Sequence, residues 1–367
     1  MPDLFTALAG VLYGVLLVTL GANMVYLRRT RRLPAVEAWP RLSVLVPARN
    51  EAENLQRLVP ALLGQTYPDF EVVLYDDASE DDTAGVLHAY AGDSRLRVLR
   101  GTGPPPGWLG KVHALYQATR QATGACYLFI DADVELKHPD ALRHLVARYQ
   151  ALPTPSVASG LPHMRGGGLP LVSLVPNAIL GSLPWPLVRR LRRPSMGMVN
   201  GPCWLIDRDL YHAHEPHEAV KAEILEDVEI GRYLLRQGVV PVLLDAQDDV
   251  AVQLYDGLAD AWRGYQKNAY LLVGGTPLAF AALHAYHLVL FVVAPWTSVW
   301  LMAALYLWKG GTDRLGRQPA WVTLLTPLIF VLSAVLQLDS AWRHATGRVA
   351  WKGRPVATAS TSRAPVS

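Results

Sequence analysis

The sequence predicts an α/β fold, a mostly parallel sheet flanked by helices, joined to membrane-spanning helices at both ends. Over residues 41–250, short runs rich in Val, Leu, Ile and Phe alternate with helical patterns, as parallel βαβ units do. Long runs without Asp, Glu, Lys or Arg flank this region. The 367 residues are 51% hydrophobic and 18% charged, which is more apolar than a typical soluble domain.

The first element is the apolar run Leu4–Leu27, which can cross a hydrocarbon core of roughly 30 Å. A secretory signal peptide carries its positive charge before such a run, whereas here the charge follows it. The basic residues are Arg28, Arg29, Arg31 and Arg32. The positive-inside rule therefore predicts a retained anchor over residues 1–32, with the N-terminus outside and the next residues in the cytoplasm.

Residues 33–267 are predicted to form one cytoplasmic domain. Its first strands and helices are predicted in alternation, at 42–47, Glu51–Gly64, 70–75, Asp82–Tyr90, 96–100, Lys111–Ala122 and 126–131. Near-continuous apolar strands indicate burial on both faces of the sheet. Ligands of such sheets bind beyond the carboxyl ends of the strands, and the charged residues fall at these ends.

Residues 162–198 have a different composition, rich in Pro, Gly and Leu, and end in "LVRRLRRP". Apolar residues beside an arginine cluster favour a segment at the membrane surface. An ordinary solvated basic helix is the alternative interpretation.

Residues 268–342 are predicted to be the C-terminal membrane helices, about two in number. Leu278–Trp308 and Pro319–Leu338 are the two spans, and the loop between them holds Lys309, Arg314 and Arg317. The basic residues of the tail, 343–367, favour its placement in the cytoplasm. Two short helices before Lys309 would reverse that placement. The last residues, "ATASTSRAPVS", are predicted to be disordered.

Two acids follow the predicted strand at 126–131, in the stretch "FIDADV". Residues i and i+2 of a strand share a face, so Asp131 and Asp133 are predicted to converge on one hard cation. Mg²⁺ or Mn²⁺ prefers oxygen ligands and bridges carboxylates to substrate phosphates. A solvated turn is the alternative, because Asp is common in turns.

Polar residues also follow two other predicted strands. Asp76 and Asp77, in "YDDASEDDT", can accept hydrogen bonds from a base or a ribose, although a capped turn is the alternative. In "VPARNEAENL", Pro47 ends a strand, and Arg49 with the start of a helix at Glu51 favours an anionic ligand.

Two helix starts complete the set. In "GWLGKVHAL", Lys111 is a solvated residue unless a phosphate lies nearby. In "EILEDVEIG", four acids lie within seven positions. Either they compensate the dipole of the helix that starts there, or one of them is a general base.

Together these motifs, in this order, resemble family 2 glycosyltransferases of the GT-A, Rossmann-like fold. The resemblance covers roughly residues 41–270. With the flanking apolar helices, "PPGWLGK" and "WKGR" (Trp351–Arg354), the chain looks like a bacterial membrane subgroup that acts on lipids, among them carotenoid-acid and hopanoid-associated glycosyltransferases.

The resemblance implies a role for each matching residue. Asp227 is the expected base, Asp133 the direct metal ligand, and Asp131 a ligand of the metal or the ribose. The other implied nucleotide-sugar-binding residues are Pro47, Arg49, Glu51, Asp76, Asp77 and Lys111. The residues expected on the acceptor side are Gly201, Cys203, Glu226, Gln266, Lys267 and Asn268. For "NGPCW" (200–204), a tight turn on Gly201 is the alternative.

One departure from the family pattern bears on the product. Processive members carry Gln-x-x-Arg-Trp, where this chain has "GYQKNAY" (264–270), which favours transfer of a single sugar. The expected reaction is inverting, metal-dependent transfer from a nucleoside diphosphate sugar, with UDP favoured, to a lipid such as a carotenoid acid or another terpenoid. Transfer to polyprenyl phosphate, or non-catalytic nucleotide-sugar binding, is the alternative.

Composition excludes other classes. A net charge of +3 and the lack of a base-stacking motif argue against nucleic acid as a partner. The two cysteines, Cys126 and Cys203, give no zinc spacing. A transporter is disfavoured because the spans are few and uncharged. The expected location is the inner membrane, as a multi-pass protein, and the oligomeric state stays open.

Overall fold

The computed structural model describes residues 3–351 and 354–355. The chain divides into two compact units. The first, here called the sheet unit, contains residues 25–163 and 185–253. The second, the helical unit, contains residues 1–24, 164–184 and 254–367. Residue 352, residue 353 and residues 356–367, which include the predicted disordered tail and part of "WKGR", lie outside the described residues.

The sheet unit is built on a seven-stranded sheet in the order β3-β2-β1-β4-β8-β6-β9. Neighbouring strands of this sheet run parallel to each other, except that β8 runs antiparallel to both β4 and β6. The strands are β1 Leu42–Ala48, β2 Phe70–Asp77, β3 Leu96–Gly101, β4 Cys126–Ile130, β5 Val134–Leu136, β6 Ser156–Leu161, β7 His163–Arg165, β8 Cys203–Asp207, β9 Val240–Asp245, β10 Val250–Gln253, β11 Ala350–Trp351 and β12 Arg354–Pro355. The predicted mostly parallel sheet is confirmed.

Helices cover the sheet because its central strands are apolar on both faces. All residues of β2 and β4 are buried. In the helix at Ala52–Leu63, Leu55, Leu58, Val59 and Leu62 are buried, which is the spacing of one helical face. The helices of this unit are α2 Ala52–Leu63, α3 Thr83–His88, α4 Gly110–Gln121, α5 Ala141–Gln150, α8 Trp185–Leu191, α9 Arg208–His214, α10 Pro216–Ala219 and α11 Glu226–Arg236.

The remaining helices include those of the helical unit. They are α1 Leu4–Thr30, α6 Leu169–Val172, α7 Leu174–Gly181, α12 Leu258–Tyr265, α13 Ala269–Leu272, α14 Pro277–His287, α15 Val299–Leu315, α16 Ala320–Leu324 and α17 Thr326–Ala345, with a π-helical turn at Leu288–Val293 and 3₁₀ turns at Pro194–Met196 and Ala294–Thr297. By length and composition, two of the described segments can cross a membrane, Leu4–Thr30 and Pro277–Thr297, or up to three if one bent helix pair counts as a span.

Two details of the predicted C-terminal spans differ in the structure. The span predicted at Leu278–Trp308 is interrupted at Ser298, whose side chain caps α15 by accepting from the Trp300 N–H (3.3 Å). The run Pro319–Leu338 is divided at Leu325 into α16 and α17 and gives no candidate span among the described residues.

The loop predicted around Lys309 is also wrong, because Lys309 lies inside α15 and is fully buried. Its ammonium donates to the carboxylate of Asp313, one turn further on, and to Ser173 Oγ (3.1 Å). The other carboxylate oxygen of Asp313 accepts from Thr323 Oγ1 (2.7 Å). The charge is therefore compensated within the bundle rather than solvated.

Candidate active site

The predicted site residues of the first strands meet at one edge of the sheet. Because β1, β2 and β4 are parallel neighbours, their carboxyl ends lie at the same edge. Ala48 pairs with Asp76 across β1 and β2, so Arg49 and Asp77 follow side by side. Asp131 follows β4 directly.

Lys111 forms ion pairs with two acids, Asp131 and Glu226. It lies at the start of α4, and its Nζ is 2.8 Å from Asp131 Oδ1 and 3.0 Å from Glu226 Oε1. Burial alone would lower the pKa of Lys111, but the carboxylates of Asp131 and Glu226 raise it well above its ordinary value. Lys111 is therefore a fixed positive charge between two segments that are far apart in sequence.

Asp131 and Asp133 do not lie on a common strand face. The strand ends at Ile130, and both acids belong to the turn that leads into β5. Asp133 Oδ1 is buried, and no hydrogen-bond partner reaches it among the described residues. Burial, and then the charges of Asp131 and Glu51, raise the pKa of Asp133. A buried carboxylate oxygen without a donor, beside a second acid, fits a hard divalent cation.

Asp227 lies in the first turn of α11, where backbone N–H groups hold its carboxylate. Oδ1 accepts from the Val228 N–H (2.8 Å) and Oδ2 from the Gly201 N–H (3.2 Å). Burial, and then the charge of Glu226, raise the pKa of Asp227, although Lys111 opposes this. A carboxylate with a raised pKa is suited to accept a proton near neutral pH.

A side chain at Gly201 would crowd two charged groups of the site. A Cβ there would lie 3.2 Å from Lys111 Nζ and 3.3 Å from Asp227 Oδ2. The absence of a side chain therefore lets the loop before β8 approach both charged groups.

Arg49 and Glu51 organise the loops around the β2 end. The Arg49 guanidinium donates to the backbone carbonyls of Asp77 (2.8 Å) and Ala78 (3.0 Å). Glu51 precedes α2 and accepts from Asn54 Nδ2 (2.7 Å), while its own N–H donates to Thr83 Oγ1 (3.0 Å). Arg49 thus holds the end of β2, where Asp77 lies, and the start of the loop that follows it.

The same edge contains two further predicted residues. Asp76 Oδ1 accepts from the Ser79 N–H (3.0 Å), as an acid in a capped turn does. Pro47 lies within β1, where it pairs with Tyr75. Because proline has no backbone N–H, no donor at this position requires an acceptor.

Cys203, predicted on the acceptor side, lies in the sheet core. It is fully buried, and a Cβ on Gly160 would lie 2.7 Å from its Sγ. Burial raises the pKa of the Cys203 thiol to about 12, so the thiol is inert at neutral pH.

Gln266, Lys267 and Asn268 belong to the helical unit, where they follow α12. The segment is held on α17: Gln266 Nε2 donates to Asp339 Oδ2 (2.5 Å), and the Lys267 carbonyl hydrogen-bonds with His344 Nε2 (2.9 Å). Asn268 Oδ1 is buried without a hydrogen-bond partner among the described residues.

Sequence reasoning missed His217. It is fully buried against the rings of Phe129 and Trp204, which stack at 3.9 Å, and its Nδ1 hydrogen-bonds with the Tyr211 hydroxyl (2.8 Å). Burial, and then the charge of Lys111, lower the pKa of His217 to about 3, so the ring is neutral. Nothing in "HEPHEAV" distinguishes this histidine from a solvated one.

Comparisons with known proteins find glycosyltransferases. Residues 43–214 match the family model described as "Glycosyl transferase family 2". The 4,4'-diaponeurosporenoate glycosyltransferase of Staphylococcus aureus (strain USA300) is 27% identical over 335 residues, which cover 85% of this chain and 87% of that protein. The protein of the same name from strain MRSA252 is 26% identical over the same shares.

Among solved structures, the mannosyltransferase PcManGT from Pyrobaculum calidifontis, determined in complex with GDP-Man and Mn²⁺, has a TM-score of 0.53 and 21% identity. The match covers 93% of this chain and 98% of that one. At this identity the likeness concerns the fold, and it supports the predicted architecture.

Proposed function

We propose that this chain, whose residues 43–214 match the family model for family 2 glycosyl transferases, transfers one sugar from a nucleoside diphosphate sugar to an apolar, terpenoid-like acceptor with inversion at the anomeric carbon. The observation that carries the proposal is Lys111, which joins the acids after β4 to Glu226, the neighbour of Asp227. These contacts support a site in which the proposed donor-binding and acceptor-activating groups act around one point.

The donor half consists of residues at the carboxyl ends of β1, β2 and β4. The carboxylates at Asp76 and Asp77 offer acceptors to a base and a ribose, and UDP is the favoured donor nucleotide. Asp133, with Asp131 beside it, would hold Mg²⁺ or Mn²⁺, which offsets the charge of the leaving diphosphate when bound. Lys111 adds a fixed positive charge at the same place.

The acceptor half centres on Asp227. An acceptor oxygen forms its bond to the anomeric carbon as the bond from that carbon to the diphosphate oxygen breaks, and the diphosphate leaves with the electron pair. If the acceptor is a hydroxyl, Asp227 takes its proton. A carboxylate acceptor is already ionised at neutral pH, and Asp227 then positions it.

The acceptor class follows from the relatives and the apolar helices. The staphylococcal relatives are named for a carotenoid acid. Leu4–Thr30 and Pro277–Thr297 suit association with a membrane, where such an acceptor dissolves. We therefore favour a carotenoid acid or another terpenoid, reached by a multi-pass protein whose sheet unit is cytoplasmic.

Membranes containing the chain, incubated with UDP-, GDP- and dTDP-sugars, test the proposal. Lipid extracts analysed by mass spectrometry should gain one hexose mass with one donor class. Asp133→Ala should abolish this product, and Gln56→Ala on the exposed face of α2 is the matched control. A chain that binds donor but yields no glycosylated lipid with any carotenoid acid, terpenoid or polyprenyl phosphate would be a binding protein instead.

A further inference from the structure

The four arginines between residues 189 and 193 differ in their surroundings. Arg189 points inward, where its Nη2 donates to the Pro153 carbonyl (2.8 Å) and to Ser156 Oγ (2.8 Å). Arg190, Arg192 and Arg193 are exposed. One arginine therefore stabilises the fold, and three present positive charge to the surroundings.

Exposed leucines accompany these three arginines. In α8, Trp185 and Val188 are buried, whereas Leu187 and Leu191 are 41% and 49% exposed. Residues four apart lie on one face of a helix, so the two leucines form a small apolar ridge beside the positive charge. An apolar ridge flanked by arginines is the pattern of a segment that lies in a membrane interface.

Within the sheet unit, α8 and the end of α1 both contact β9. The helix α8 packs against β9. Tyr26, near the end of α1, hydrogen-bonds with the backbone of Leu243 in β9 and lies within range of the Arg189 charge. The end of a spanning helix marks the headgroup level, and α1 is a candidate span.

Further basic residues lie where α1 ends. Arg28, Arg29 and Arg32, at the end of α1 and just beyond it, are exposed. Like the exposed arginines in and after α8, they carry positive charge that is complementary to anionic headgroups.

We propose that α8 and its three exposed arginines form a docking surface for anionic phospholipid headgroups, with Leu187 and Leu191 inserted between them. The surface would hold the sheet unit against the membrane, and it does not depend on the glycosyl-transfer proposal. Each arginine near an anionic surface contributes a factor of about five to the local association. A polyprenyl phosphate bound singly is the competing occupant.

The test uses the full-length chain in nanodiscs. A polarity-sensitive fluorophore is attached at Leu191→Cys, and the native Cys126 and Cys203 are buried and do not compete for the label. Quenching by a nitroxide in the lipid headgroup region reports contact with the bilayer. The matched control label is Gln56→Cys, exposed on α2.

Quenching at residue 191 should be about threefold or more stronger in discs that contain phosphatidylglycerol than in phosphatidylcholine discs, and salt should weaken it. The combined change Arg190→Gln, Arg192→Gln and Arg193→Gln should remove the difference, while the corresponding change to Lys should retain it. The control label should show little quenching in either lipid.

Two results would overturn the proposal. One is equal quenching at residues 191 and 56, or quenching at residue 191 that is indifferent to anionic lipid and salt in the unsubstituted chain. The other is quenching that appears only when polyprenyl phosphate is added to phosphatidylcholine discs. Both comparisons use the natural arginines, so they decide the matter even if the triple variants fold poorly.

Discussion

Lys111 Nζ lies 3.0 Å from Oε1 of Glu226 and, on its other side, 2.8 Å from Asp131. One ammonium thus connects the turn after β4 with the first turn of α11. If the proposed reaction is right, the group that neutralises the leaving diphosphate also sets the position of the acceptor-activating acid.

Lys111→Met should lower kcat by about 100-fold, because it removes the fixed charge that faces the leaving group. The melting temperature should fall as well, since two acids lose their partner. Initial rates and thermal shift in detergent measure the two effects. Lys221→Met, an exposed lysine over the Trp108 ring, is the control and should change neither. Full activity of the Lys111 variant would remove this residue from the mechanism.

Gly201→Ala should reduce kcat by about tenfold with a small change in melting temperature. The new Cβ would lie 3.2 Å from Lys111 Nζ and 3.3 Å from Asp227 Oδ2, so it would displace charged groups whose spacing the reaction requires. Gly92→Ala is the matched control, because a Cβ at Gly92 meets nothing within 4 Å. Equal rates for the two variants would contradict a role for the close approach at Gly201.

The affinity for Mn²⁺ should rise with pH. The pKa of Asp133 is raised, so below it a cation must displace a proton, and affinity changes by up to about tenfold per pH unit. Without metal, the contribution of Asp133 to folding stability changes with pH in the opposite direction. The carboxyl ionises at lower pH in the unfolded state than in the folded one, so this contribution falls as pH rises through the folded pKa. Calorimetry with Mn²⁺ and UDP at several pH values tests this. A pH-independent affinity, or one unchanged by Asp133→Asn, would refute the assignment.

The contribution of Glu71 to folding stability should change with pH in the direction opposite to that of Asp133. Burial alone would raise its pKa, but hydrogen bonds from the Thr123 backbone, the Ser43 hydroxyl and the Thr123 hydroxyl hold it below its ordinary value. Its contribution is therefore present above the unfolded pKa and lost as pH falls through the folded one. Glu71→Gln should cost about 1–3 kcal/mol at pH 7 and less in acid. Melting curves across pH test this, and a difference that grows in acid would contradict it.

The buried pair in α15 should show strong coupling. Lys309→Met or Asp313→Leu alone leaves an uncompensated buried charge and should cost about 3–5 kcal/mol. The double variant should recover most of this stability, because no charge is then left without its partner. Thermal unfolding of all four chains in the same detergent gives the cycle. Additive losses would show that the two side chains act independently.

The sequence predicted the sheet edge well because polar residues directly after apolar runs mark strand ends. It left a turn at Asp131 and Asp133 only as the alternative, since where β4 ends depends on its pairing with β1 and β8. Lys309 was misjudged because a charge suggests solvent until its partner Asp313, one turn away, is recognised. The burial of Cys203 in the sheet core could not be predicted, because a small residue beside a site motif can be either exposed or buried.

The direction of β8 has a consequence for how this protein can diversify. Leu161 ends β6 and Cys203 begins β8 at the same sheet edge, because the two strands are antiparallel. Residues 162–202 therefore leave the sheet and return to it at the edge that carries Asp131. An exchange of this stretch between relatives, with Gly201 kept, would leave every strand pairing of β1 to β4 in place, so the stretch can vary without rebuilding the proposed donor half.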